Sequence, residues 1–128
     1  MASFQWNHLP AIFTASAELL SLIYPVFSST RNIMILYGLP DRIAGESAAI
    51  APWWAGQLRT QAGGILCAYC YWKGWYEVCD AFMVVLGLYL GVGDLLVMWY
   101  CGKLGYGVRR LMGSLAVATC GLVGMTQW

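Results

Sequence analysis

The chain has 128 residues, 60% of them hydrophobic and 10% charged, against about 25% charged in an average soluble domain. So little charge over one domain's length excludes an ordinary water-facing globule. A net charge of +1 without a basic stripe excludes a nucleic-acid binder.

Four apolar segments follow one another, and they predict an all-α protein, a bundle of four transmembrane helices in a single domain. The first covers about 10–27. No Lys or Arg precedes Arg31 and Glu18 stands at its centre, so it reads as a span and not as a signal peptide. Thr14 and Ser21 share the Glu18 face, and Pro25, which has no N–H, frees the Ser21 carbonyl. The connector from Ser28 to Thr60 holds Pro40, Asp41, Pro52 and the small-residue stretch Ala44 to Ala51. It predicts a turn and a short surface helix. The second segment, about 61–76, carries Cys67-Ala68-Tyr69-Cys70 and Lys73, whose amine can snorkel to the interface.

The third segment, about 79–100, is the clearest. Ala81 to Tyr100 reads AFMVVLGLYLGVGDLLVMWY, and twenty helical residues span about 30 Å, the thickness of a bilayer core. Asp94 is the only carboxylate from Ala81 to Tyr100, at an insertion cost of roughly 2.5–3.5 kcal/mol. The fourth segment, about 111–128, is lined by Gly113, Ala116, Gly121 and Gly124. With Gly87 and Gly91 these allow close helix packing where no hydrophobic effect drives association.

Aromatic residues mark both interfaces: Trp6, Trp53, Trp54, Trp72, Trp75, Tyr76, Trp99, Tyr100, Tyr106 and Trp128, since amphipathic rings settle at headgroup level. Arg31, Arg42, Arg59, Lys103, Arg109 and Arg110 fall on one side of four spans, and Lys73 alone on the other. The positive-inside bias puts the six in the cytoplasm and both termini outside it, in the lumen of the endoplasmic reticulum for a eukaryotic chain.

Glu18, Asp80 and Asp94 are the acids within apolar segments. Hydrocarbon favours the neutral form of a lone carboxyl, and no basic residue is expected at the depth of Glu18, so it suits a proton donor. Asp94 lies about two turns from the cytoplasmic end of its helix. Arg59 or Arg110 enters from that side, and a guanidinium matches a carboxylate with two parallel bonds. The C-x-x-C of Cys67 and Cys70 could be a membrane dithiol, but the second, loop cysteine pair of such enzymes is missing. The five cysteines otherwise behave as small hydrophobes. His8 has no ligand partners for zinc, and neither a phosphate loop nor a nucleophile–histidine motif occurs.

Tyr37-Gly38-Leu39-Pro40, Gly56-Gln57-Leu58-Arg59 with Gly63, and Gly91-Val92-Gly93-Asp94, followed by a basic loop and a glycine-rich last helix, resemble a family of small four-helix membrane proteins of fungi and bacteria. That family has no assigned function. Its G-x-x-R-x-x-x-G and G-D signatures fall on Gly56, Arg59, Gly63, Gly93 and Asp94. Two departures stand out: Arg109-Arg110 where the family tends to have a His, and Glu18 in a usually uncharged first helix. In chemistry, though not in length or span number, the intramembrane acids are similar to those of fungal terpenoid–polyketide cyclases.

The expectation is therefore a cofactor-independent membrane cyclase or isomerase with a lipophilic substrate. Glu18 is the expected acid, Asp94 with Arg59 its partner or base, and Tyr69, Trp72 and Tyr89 the cavity wall that steadies a developing cation. No metal site is expected. The expected partners are the bilayer and the substrate, with the glycine faces open to a second copy of the chain. The alternatives are a non-catalytic accessory subunit and, more weakly, a thiol oxidoreductase using Cys67 and Cys70.

Overall fold

The computed structural model describes residues 5–21, 23 and 27–127; Pro25 and Trp128 lie outside them. Every regular element among these residues is helical, which bears out the all-α expectation. A 3₁₀ turn, Trp6–His8, leads into α1, Leu9–Leu20. Two short helices follow, α2 over Thr30–Leu36 and α3 over Asp41–Ala44. The long helices are α4, Ser47–Trp72, α5, Tyr76–Tyr100, and α6, Leu104–Leu122, before a last 3₁₀ turn, Met125–Gln127.

One boundary differs from expectation. The surface helix and second span expected on either side of residue 60 are a single helix, α4, which starts at Ser47. Ala48, Ala49, Ala51 and Ala55 favour helix strongly. Pro52 sits in the second turn, where its missing N–H frees only the carbonyl one turn earlier. At the other end, Gly74 (φ +76°) closes α4, with the Trp75 amide bonding the Cys70 carbonyl at 2.9 Å. Gly102 (φ +74°) closes α5 in the same way through Lys103 and Met98. This left-handed closure suits glycine, which has no Cβ to clash.

The helices associate as two close pairs, α1 with α4 and α5 with α6, while α4 and α5 touch sparingly. In the α5–α6 pair the backbones meet through glycine. A Cβ on Gly87 would strike the Ser114 carbonyl oxygen and sit 2.8 Å from Ala118. One on Gly121 would strike the Asp80 carbonyl oxygen. Gly91 faces Ser114 and Leu111, and Gly107 faces Leu95 and Met98. Each step along α5 is thus matched by a step back along α6, an antiparallel register. Gly113, expected to share this role, has nothing within 4 Å of its Cβ position. In the other pair, Gly64 of α4 meets Ala15, Glu18 and Leu19 of α1.

Ala11, Cys70, Cys79 and Met83 form a small buried core against Tyr71 and Val117. His8, Thr14, Gln57, Asp80 and Thr126 are buried, while Phe13, Trp72, Tyr89, Trp99, Tyr100 and Met112 are exposed. Five polar side chains thus share the interior with Ile33, Met34, Met83 and Met98, while many large apolar ones face outward. Only α5, among the described residues, is long and apolar enough to cross a membrane, with 22% of its most apolar window buried. Described α1 has 12 residues, α4 carries Gln57, Arg59, Thr60 and Gln61, and α6 begins with Arg109 and Arg110 in its first two turns.

The glycine contacts predict a sharp contrast. Gly87→Leu should cost about 1–3 kcal/mol or more, because its clash is with backbone. Gly113→Leu should change stability by less than about 0.5 kcal/mol. Thermal unfolding in detergent measures both, and equal losses would contradict the register.

Candidate functional site

Between the two helix pairs lies a cavity of about 600 Å³. α1 contributes Ala17, Glu18 and Ser21, and α4 contributes Pro52, Trp53, Gly56, Gln57 and Thr60. Leu90, Asp94, Val97 and Met98 come from α5, Arg110 from α6, and Tyr37 and Leu39 from the segment after α2. The cavity exists because α4 and α5 do not pack closely along their length.

Helical periodicity turns these residues inward. On α4, Gln57, Thr60, Gly64 and Cys67 recur at three- and four-residue spacing and so share a face. Gly64 lets α1 close enough to bring Glu18 onto that face.

Asp94 and Arg110 form an ion pair, Nε to Oδ2 at 2.7 Å. Of the two partners expected for Asp94, it takes Arg110. Arg59 is exposed on α4 and does not line the cavity. The reason is the α5–α6 register: with Gly91 opposite Leu111 and Ser114, the next turn sets Asp94 opposite Arg110. Arg110 also donates from Nη1 to the Tyr37 carbonyl at 3.1 Å, and its guanidinium stacks 5.3 Å from the Tyr37 ring centre. The Tyr106 hydroxyl donates to the Leu36 carbonyl. α6 thereby satisfies two of the carbonyls left over at the end of α2. Burial raises the Tyr37 phenol above its ordinary range, with Arg110 pulling the other way, so it stays a neutral donor.

The Glu18 carboxyl has no hydrogen-bond or ion-pair partner among the described residues; Ser21 donates to its backbone carbonyl at 2.7 Å. No basic residue is expected at the depth of Glu18, yet Arg110 lines the same cavity. Gln57 is 9% exposed, and its Oε1 is buried with no partner.

Tyr69, Trp72 and Tyr89, expected as cavity walls, are 45%, 71% and 77% exposed and face outward. Their place is taken by Tyr37 and Trp53. Cys67 and Cys70 are buried free thiols packed in the core, and the Cys79 thiol donates to the Cys67 carbonyl at 3.7 Å. Asp80 lies toward the other end of α5, 3% exposed. Its carboxylate accepts from the Thr126 amide at 3.1 Å and Gln127 Nε2 at 2.9 Å. Nearby His8 Nδ1 meets the Tyr71 hydroxyl at 2.9 Å. Asp80 thus ties the last turn to this end of α5.

No family model, curated protein or solved structure matches the chain. The site therefore stands on its own geometry.

That geometry gives a measurable pair. Asp94→Asn and Arg110→Gln should each cost about 1–3 kcal/mol, below the 3–5 of a fully buried pair, because both side chains keep some exposure (30% and 31%). The double variant should show about 0.5–3 kcal/mol of coupling, and a cycle of Asp94 with Arg59 essentially none. Coupling to Arg59 in place of Arg110 would refute the pairing.

Proposed function

We propose that the protein is an integral-membrane enzyme that acts on a lipophilic substrate by acid–base chemistry, a cyclase or isomerase with Glu18 as the acid. One observation carries this reading: a carboxyl with no partner among the described residues, in a cavity large enough for a small molecule, beside an ion pair that is already closed. Small-molecule sites are typically apolar cavities of about 300–1,000 Å³ with a few placed polar groups. Leu90, Val97, Met98 and Trp53 supply the apolar wall. Glu18 protonates an olefin or epoxide, and the aromatic faces of Trp53 and Tyr37 attract the positive charge that forms. Loss of a proton from a neighbouring carbon to a carboxylate in the cavity restores neutrality.

The four-span bundle belongs to this proposal. α4, at 26 residues, is about 39 Å long, enough to cross, with Trp53 and Trp54 near one interface and Trp72 near the other. The outward-facing apolar side chains and inward polar ones support immersion in hydrocarbon. The basic residues favour cytoplasmic loops and luminal termini, in the endoplasmic reticulum for a eukaryotic chain. The closed Asp94–Arg110 pair favours a second reading, in which the cavity is incidental and the chain is an accessory subunit.

Two measurements follow. Protease treatment of sealed microsomes should leave a C-terminal tag intact, and digestion of the tag would reverse the topology. Glu18→Gln should fold normally, since a neutral amide is cheaper to bury than a carboxylate. It should lose about 10²–10⁴-fold in rate, the worth of a positioned acid, seen as substrate accumulation in a host carrying the pathway. A stable variant with normal product formation would leave the accessory reading.

A further inference from the structure

We infer that the cavity takes a neutral lipophilic alcohol, whose hydroxyl donates to Gln57 while its apolar body reaches Glu18 two helical turns away. The inference rests on the reading of Glu18 as the acid and adds the class of substrate and its orientation. Gln57 is nine-tenths buried, lines the cavity, and keeps a buried oxygen that no group in the described structure bonds. Buried carbonyl oxygens are rarely left so, because an unmet acceptor costs the desolvation it suffered. A ligand donor relieves that cost, and rotation about the amide's soft terminal torsion brings the oxygen to it.

The remaining polar groups narrow the donor's chemistry. Among the described residues Arg110 is the only cation in the lining, and it already faces the Asp94 carboxylate and the Tyr37 carbonyl. A carboxylate or phosphate head would have to compete with Asp94 for it. An ammonium head would need an ionised Glu18, which the acid role excludes, or would have to draw Asp94 away from Arg110. A hydroxyl needs neither, and Thr60, one turn along the same face, can donate to its lone pair.

Distance follows from the helix. Gly64, seven residues after Gln57, packs against the Cβ of Glu18, and the carboxyl reaches from there into the cavity that Gln57 and Thr60 line. Seven residues advance about 10 Å along α4. The substrate's reacting carbon should therefore lie within about that distance of its hydroxyl.

The test is equilibrium binding to protein in nanodiscs, with empty nanodiscs subtracted, for farnesol, its methyl ether and farnesylamine. Wild type should bind the alcohol about tenfold tighter than the ether, which cannot donate. Gln57→Met, close in shape, should bring that ratio to about one while unfolding at the same temperature or higher, since it removes an unmet oxygen. Glu18→Gln should keep the ratio. Equal binding of alcohol and ether by wild type, a preference that survives Gln57→Met, or no saturable binding of either would overturn the inference. An amine bound tightest by wild type but not by Glu18→Gln would make Glu18 a counter-ion, and both readings fall. Alcohol preference without any effect of Glu18→Gln on turnover would remove the acid alone and leave the binding site.

Discussion

Close contact between α5 and α6 is the constraint on which the other features depend. Backbones approach to van der Waals distance only where one side has no Cβ, and Gly87, Gly91, Gly107 and Gly121 supply four such places along one seam. In hydrocarbon this dispersion contact replaces the hydrophobic effect as the source of association. Four contacts along one seam admit one register, since a slip by a turn would drive Ala118 or Leu111 into backbone. That register sets Asp94 beside Arg110. Arg110 then holds Tyr37, Tyr106 holds Leu36, and the segment after α2 becomes a wall of the cavity.

The three inward acids are handled in three ways. Asp80 accepts a backbone and a side-chain N–H from the final turn, so its charge is met by dipoles and fastens the end of the chain. Asp94 meets a guanidinium, which keeps its charge when desolvated. Among the described residues Glu18 meets neither. Fold stability explains the first two arrangements but not the third, since an unpaired carboxyl in an apolar bundle is a cost wherever it sits. This asymmetry is why the proposed acid role falls to Glu18.

Much of this was legible in the sequence. Hydropathy gave the helices, and the isolated acids named two residues of the cavity. Depth alone left Arg59 and Arg110 equivalent for Asp94, because both enter from one side. Register separates them, and its signal was present in the spacing of Gly87 and Gly91 against Ser114 and Ala118. The aromatic wall was misplaced because Tyr69, Trp72 and Tyr89 were judged by type, whereas their positions on α4 and α5 turn them outward. Gln57 and Trp53, legible only as part of a signature and as an interface aromatic, are not placed in a cavity by a second span that begins after them. A helix begun at Ser47 would have put Gln57, Thr60 and Gly64 on one face by periodicity alone.

The earlier start of α4 also changes where the cavity opens. A second span beginning near residue 61 leaves too few residues to cross a core of about 30 Å. One bounded by Trp53 and Trp72 is long enough, with Arg59 reaching back to the headgroups along its own stem. On the four-span reading the mouth near Tyr37, Pro52 and Trp53 then lies at headgroup level, Gln57 about a turn below it, and Glu18 deeper. A lipophilic alcohol already rests in a bilayer with its hydroxyl near the headgroups and its body in the core. It could therefore pass sideways between the loosely packed helix pairs without turning over, and would arrive with its hydroxyl at Gln57 and its carbon skeleton at the acid.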